Sequence, residues 1–327
     1  MRDFSYFRAT SAEDARQAAL QASAVMLAGG TTLLDLAKCG VAEPEAVIDI
    51  THLSGLDGIA VNQEGAVIGT LAKMAAVADH PDIKAWFPAV SESLSLAASA
   101  QLRNMATIGG NLLQRTRCAY FRDPLTFPAC NKRNPGSGCS ALGGVIRNHA
   151  VLGVSEQCIA SYPGDLAAAL VALDAVVDLG QRQVPVDDFF LPYDHAPERE
   201  TVLQPGEMIL GISIPASVAA RNSTYLKVRD RQSYEFAAAS AAVGLELESD
   251  NRTIKDIRVA LGGVASKPWR ARAVEQALIG KALEEQTVAR AARLAMDGAV
   301  SYGDNLYKIE LAPRVITRAI MKVGGLA

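Results

Sequence analysis

The chain holds 327 residues, 50% hydrophobic and 20% charged, with a formal net charge of −3. That length accommodates two or three domains, and the composition is that of a globular protein with a large core. The slight negative charge argues against nucleic acid or an anionic membrane surface as a partner, and no apolar run approaches the ~20 residues that cross a bilayer. Met1-Arg2-Asp3-Phe4-Ser5-Tyr6 lacks the charged and apolar regions of a signal peptide. The expected compartment is the cytoplasm, or the periplasm if a partner bearing a twin-arginine signal carries the folded chain across. Five cysteines are too few for a disulfide scaffold.

Residues 12–23 predict a helix with Ser11 as its N-cap and Glu13 and Asp14 in its first turn. A strand at 25–28 runs into Gly29-Gly30, and Thr31-Thr32 opens a short helix. Strands are expected at 46–50, 59–61 and 66–69. A helical region follows from 71 to 100, broken near Pro81 and Pro88. Further strands are expected at 149–154, 175–179 and 208–214, with a helix at 165–173. Pro215 ends the last of these strands, and residues 216–222 form the candidate domain boundary. Beyond it lie strands at 223–228, 237–247 and 254–262, then helices near 287–300 and 311–323. Strand-rich followed by helix-rich order indicates an α+β domain.

Two glycine turns carry possible chemistry. Ala28-Gly29-Gly30-Thr31-Thr32 lies at a strand-to-helix junction, and Thr107-Ile108-Gly109-Gly110-Asn111 repeats the same residue types. Glycines permit φ > 0 and let backbone N–H groups approach an anion, while the threonines add hydroxyl donors. Two such turns suit the two phosphates of a dinucleotide; a purely structural role for each is the alternative. Neither matches Gly-x-Gly-x-x-Gly, which argues against a nicotinamide Rossmann site.

Cys118, Cys130, Cys139 and Cys158 share one irregular loop with Pro124, Pro128, Pro135, Gly136 and Gly138, in the spacing Cys-x11-Cys-x8-Cys-x18-Cys. Soft thiolates in this number suit an iron–sulfur cluster. The spacings are longer than the close pairs usual for structural zinc, although zinc and free thiols remain open on spacing alone. Arg115, Arg117, Arg122, Lys132 and Arg133 crowd the loop with Asp123 as the only nearby acid, a setting that favours ionised thiols. Cys39 stands apart and reads as a buried thiol near a helix end. Asp165, after Pro163-Gly164, reads as a helix cap. Lys227-Val228-Arg229-Asp230-Arg231 with Tyr234 and Phe236 reads as a solvated strand edge, with contact to a reduced flavin as the alternative. His52, His80, His149 and His195 show no ligand spacing and are assigned no metal.

Ala28-Gly29-Gly30-Thr31-Thr32-Leu33-Leu34 and Gln101-Leu102-Arg103-Asn104-Met105-Ala106-Thr107-Ile108-Gly109-Gly110-Asn111-Leu112 resemble the two flavin motifs of the medium subunit of molybdenum hydroxylases. This family includes xanthine dehydrogenase, aldehyde oxidoreductase and carbon monoxide dehydrogenase. The resemblance covers essentially the whole chain. It implies an α+β fold: a two-subdomain FAD-binding domain of the molybdenum hydroxylase/vanillyl-alcohol oxidase type at 1–218, then a smaller α+β flavoprotein C-terminal domain at 222–327. It implies that Leu27, Ala28, Gly29, Gly30, Thr31, Thr32 and Leu33, with Thr107, Ile108, Gly109, Gly110 and Asn111, bind FAD mainly through its pyrophosphate. Asp165 matches the family's flavin-contacting aspartate, and Ile209 and Lys227 match positions near the isoalloxazine ring.

The cysteine-bearing loop, 114–158, resembles the aldehyde oxidoreductase subtype that carries an additional 4Fe–4S cluster. The likeness lies in Gln114-Arg115-Thr116-Arg117-Cys118, Cys130-Asn131-Lys132-Arg133, Pro135-Gly136-Ser137-Gly138-Cys139 and Val154-Ser155-Glu156-Gln157-Cys158. The implied cluster ligands are Cys118, Cys130, Cys139 and Cys158. The implied protein is an electron-transfer subunit of a heterotrimer, with no catalytic residues of its own. It would take electrons from a large molybdenum-cofactor subunit through a small 2Fe–2S subunit to FAD, then to an external acceptor. A 4-hydroxybenzoyl-CoA reductase-like or xanthine dehydrogenase-like flavin subunit, a stand-alone flavin oxidase, and a structural subunit without flavin are the alternatives.

Overall fold

The computed structural model describes every residue except Ala22, His195 and Ala327. Three sheets organise the chain. In the first, the strands Ser5–Arg8, Ala46–Asp49 and Ala24–Leu27 lie parallel in that spatial order. The strand Ala24–Leu27 leads through Gly29-Gly30 into the helix Leu33–Lys38, and the chain returns as the central strand. Parallel neighbours require such a crossover. The second sheet is antiparallel, in the order Ile59–Asn62, Gly65–Gly69, Gly211–Pro215, Val176–Asp178, Gln183–Pro185. The third, also antiparallel, runs Trp269–Arg270, Ile254–Gly262, Ala239–Leu247, Ser223–Val228.

Between 71 and 105 the prolines act as helix starters. Pro81 and Pro88 each occupy the first turn of a new helix, Pro81–Trp86 and Pro88–Ser95, where a missing N–H costs nothing. All eight residues of the helix Asp165–Ala172 are buried. An apolar surface all round is what a helix at the centre of a domain requires.

Two cores interlock. The first gathers that central helix and the second sheet, and takes Tyr225, Ala242 and Ala260 from the C-terminal sheet. The second lies under the helix Tyr307–Val323 and takes Val151 and Leu152 from the cysteine-bearing segment. Neither part of the chain therefore closes its core alone.

Several expected elements change. The first helix is Ala12–Ala18, capped by Ser11 Oγ, which accepts from the Asp14 N–H; Ala22, inside the expected span, lies outside the described residues. Residues 149–154 form no strand. Leu152 makes one bridge to Ala265, the N–H groups of both Val151 and Leu152 donate to Val264 O, and Gly153 turns away at φ +61°. The strand expected from 208 begins at Gly211. The helix expected at 287–300 is Glu285–Ala292, followed by a 3-10 turn, Arg293–Met296. The helix Arg272–Leu278 was not expected, because its N-cap is Ala271 and offers no capping side chain. Among the described residues no helix is long and apolar enough to cross a membrane.

Candidate functional site

The first glycine turn offers backbone donors. Among the described residues the N–H groups of Gly29, Gly30, Thr31 and Thr32 find no acceptor. Four consecutive half-buried, unpaired amides are costly unless a ligand or water accepts from them. Only Gly30 uses a positive φ, +72°. Gly29 serves close approach instead: a Cβ there would sit 2.3 Å from the Met105 carbonyl oxygen. The absence of that methyl lets the first turn press against the start of the second. Leu27 and Ala28 complete the strand end, and Leu33 opens the helix behind it.

The second turn differs, and here the expectation of matched phosphate cradles needs correction. The Ile108 and Gly109 N–H groups donate to Ala72 O and Thr70 O, at 3.0 and 2.9 Å. Thr107 is buried and caps its own short helix by accepting from the Gly110 N–H at 3.4 Å. Among the described residues this turn leaves free the Thr107 N–H and a side-chain atom, the buried Asn111 Oδ1, which has no hydrogen-bond partner.

Both turns border one cleft of about 840 Å³, lined by Thr31, Thr32, Gly110, Asn111 and Asp165 among the expected residues. The loop 230–238 and Gly263 of the C-terminal domain close its other side. Cofactor and small-molecule sites usually span ~300–1,000 Å³. The volume, the unpaired amides and the orphaned Asn111 oxygen together fit FAD. Ile209 is not on this lining; it is buried in the first core.

Asp165 and Lys227 meet behind the cleft. The helix is capped by Gly164, without a side-chain bond, so Asp165 is not the cap it was expected to be. Its carboxylate instead accepts from Tyr225 OH at 2.5 Å and from Lys227 Nζ at 2.8 Å. Burial raises the Asp165 carboxyl above its ordinary value, and the bonds from Lys227 and Tyr225 oppose that rise. Lys227 is buried, with a side chain 1% exposed, which overturns the solvated-edge reading at that position. Lys227 Nζ also donates to Leu96 O at 3.1 Å, as does Arg229 Nη1 at 3.0 Å. The adjacent residues Ala97 and Ala98 line the cleft, and Ala98 holds a positive φ of +47°, a conformation that needs support from its surroundings. Farther along the stretch, Tyr234 and Phe236 are exposed at the cleft.

The four loop cysteines line one small cavity. Cys130 and Cys139 face each other across an isolated antiparallel bridge, and Ser155 pairs with Cys158. All five cysteines are free thiols, and Cys39 is half-buried at the end of the helix Leu33–Lys38 rather than fully buried. The cavity between the four measures about 10 Å³. Among the described residues no three His, Cys, Asp or Glu side chains form a group able to hold a metal ion. That disfavours a single tetrahedral zinc, whereas a cubane takes one thiolate at each of four corners. Four soft thiols around one cavity are the donor type a cluster takes.

Of the loop cations, Lys132 lines the thiol cavity and opposes the rise that burial gives the Cys158 thiol, while the arginines are engaged elsewhere. Arg117 and Arg122 bind Asp35 at 3.1 and 2.6 Å, and Arg115 binds Glu200 at 2.7 Å. Lys132 lies 3.2 Å from Glu200 and 3.3 Å from the centre of the Tyr193 ring. Arg133 donates to the Tyr120, Phe121 and Phe127 carbonyls. Burial pushes the Cys118 thiol up to about 12 and the Cys158 thiol to about 11; a bound cation is what would ionise them.

Asp35, Glu200, Tyr225 and His149 were missed as partners in the sequence. Asp35 gave a faint signal as the acid in the first turn of its helix; Glu200 lies in a proline-rich connection and gave none. His149 Nε2 stands 3.2 Å from Cys118 Sγ, and burial pushes its imidazole down to about 4. His195 lies outside the described residues.

The cleft, with unpaired backbone amides at its edge, is of the kind that binds a phosphate-bearing cofactor. The FAD binding domain in molybdopterin dehydrogenase matches residues 2–217, and the CO dehydrogenase flavoprotein C-terminal domain matches residues 224–323. The chain belongs to the FAD-binding medium-subunit family of the molybdenum hydroxylases. It is 45% identical over 285 residues to the aldehyde oxidoreductase FAD-binding subunit PaoB of Escherichia coli (strain K12), covering 85% of this chain and 86% of that one. It is 28% identical to the carbon monoxide dehydrogenase medium chain of Hydrogenophaga pseudoflava, covering 92% of this chain and 89% of the other. A solved structure of carbon monoxide dehydrogenase from that organism, lacking the Mo-pyranopterin moiety, superposes with a TM-score of 0.75 and 28% identity, covering 99% of this chain and 98% of its counterpart.

Proposed function

We propose that this chain is the FAD- and 4Fe–4S-carrying electron-transfer subunit of a molybdenum-dependent aldehyde oxidoreductase. Its working units are a flavin domain at 1–218 and a C-terminal domain at 222–327. The observation that carries the reading is the convergence of Cys118, Cys130, Cys139 and Cys158 on one cavity beside the flavin cleft. The 45% identity to an aldehyde oxidoreductase subunit favours an aldehyde as the substrate class of the complex.

On this reading an aldehyde and water give a carboxylic acid, two protons and two electrons on a large molybdenum-cofactor subunit. The electrons would reach this chain through a small 2Fe–2S subunit and leave as a pair to an external acceptor. Bound FAD supplies the exchange between single electrons and electron pairs; the protein supplies position and electrostatics. Within this chain, the amides of residues 29–32 and the Asn111 oxygen hold the cofactor. The Asp165–Lys227–Leu96 chain of contacts fixes the cleft wall, and the cysteines hold the cluster.

Iron, sulfide and flavin analysis of anaerobically purified protein, with spectra before and after dithionite, tests this. About four irons, four sulfides and one FAD per chain are expected. FAD without iron would sink the cluster while leaving the flavin site standing; zinc with no flavin would sink both.

A further inference from the structure

Cys118, Tyr120 and His149 are the residues that line both the flavin cleft and the thiol cavity. Of these, His149 touches a candidate ligand through a polar side-chain atom, its Nε2 lying 3.2 Å from Cys118 Sγ. It is only 6% exposed, so water competes little for that contact. Its backbone N–H donates to Ile146 O at 2.8 Å, and its ring lies 6.1 Å from that of Tyr120, which fixes its place in the wall.

Resting on the cluster reading above, we propose that His149 is a positioning residue that sets the potential of the cluster from its flavin side by donating a hydrogen bond to the Cys118 ligand. A ligating thiolate accepts hydrogen bonds and donates none, so the ring nitrogen facing it must carry the proton. An N–H donated to a ligand sulfur withdraws negative charge from it. The reduced cluster, with one more electron, gains more from that donation than the oxidised one, and the potential rises. Because His149 also borders the cleft, it acts on the side of the cluster that faces the flavin site.

The test is EPR-monitored redox titration of the full-length protein, purified anaerobically, as wild type, His149→Phe and His149→Gln. Iron and FAD content are measured on each sample. Both variants are expected to keep iron and FAD. The cluster midpoint should fall in His149→Phe and return part of the way in His149→Gln, whose amide N–H can reach the same sulfur. An unchanged midpoint in an iron-replete His149→Phe overturns the proposal. Loss of iron from both variants overturns it too, since His149 would then be a ligand or a structural residue. Wild-type protein without iron would instead sink the cluster reading on which this one stands.

Discussion

The flavin cleft and the thiol cavity share a wall but are built on opposite principles. The cleft, about 840 Å³, is bordered by two backbone turns: Thr31, Thr32, Gly110 and Asn111 line it, and behind them Gly29 presses against the Met105 carbonyl. The cavity, about 10 Å³, is shaped by four side chains of one type, with its surrounding cations already paired to Asp35 and Glu200. A backbone-built site depends on packing behind it, whereas a side-chain-built site depends on the ligands themselves.

If the two are separable, Cys118→Ser and Cys158→Ser should each lose nearly all iron and keep FAD. Iron and flavin assays on one preparation read this directly, and flavin lost in step with iron would show one cooperative site instead.

Breaking the support behind the cleft should come next in size. Lys227→Met leaves the buried Asp165 carboxylate without its ammonium partner, a change that costs about 3–5 kcal/mol in comparable buried pairs. Denaturant unfolding should show that loss, with weaker flavin retention and iron content unaffected. An equal loss of iron would mean that the wall serves both cavities.

Gly29→Ala places a methyl 2.3 Å from the Met105 carbonyl oxygen, so backbone must move. About 1–3 kcal/mol of stability and much of the flavin affinity should go. Gly110→Ala meets only the Thr107 hydroxyl, at 3.0 Å, and should retain flavin better. Equal flavin release from the two variants would erase the distinction drawn between the two turns.

The smallest effect concerns pH. Lys308 donates to Asn148 O and Gly263 O, both on cleft-lining residues, and burial pushes its ammonium down to about 7. Between that value and 10.5 the unfolded chain holds this proton and the folded chain does not, so stability rises with pH across the window. Below it both states are protonated, and this slope vanishes. The contribution is about 1 kcal/mol per pH unit. Comparing unfolding at pH 7.5 and 9.5 for wild type and Lys308→Met should show the steeper rise in wild type; parallel slopes would remove Lys308 as the cause.

Much of the fold was legible locally. The strands Ser223–Val228 and Ile254–Gly262 fall at the expected bounds, and Pro81 and Pro88 divide the helical region as expected. Proline geometry and apolar runs act over a few residues, so they are written in the chain. The same holds for the glycine motifs and the four cysteines, whose residue types announce flavin and thiolate chemistry through their likeness to a known family. Position was another matter. The two glycine turns look alike in sequence, yet the first keeps four consecutive amides free while Thr70 and Ala72 reach the Gly109 and Ile108 amides of the second from elsewhere in the chain. Lys227 looked solvated until the fold laid Asp165 and Leu96 against it. Glu200 pairs with Lys132, and His149 meets Cys118, across 68 and 31 positions of chain. Short-range pattern thus determined the elements, and likeness to a known family implied the cofactors, while only tertiary structure decided which donors stay unpaired and which charges are already neutralised. Those outcomes depend on neighbours that arrive through folding, and no local pattern encodes them.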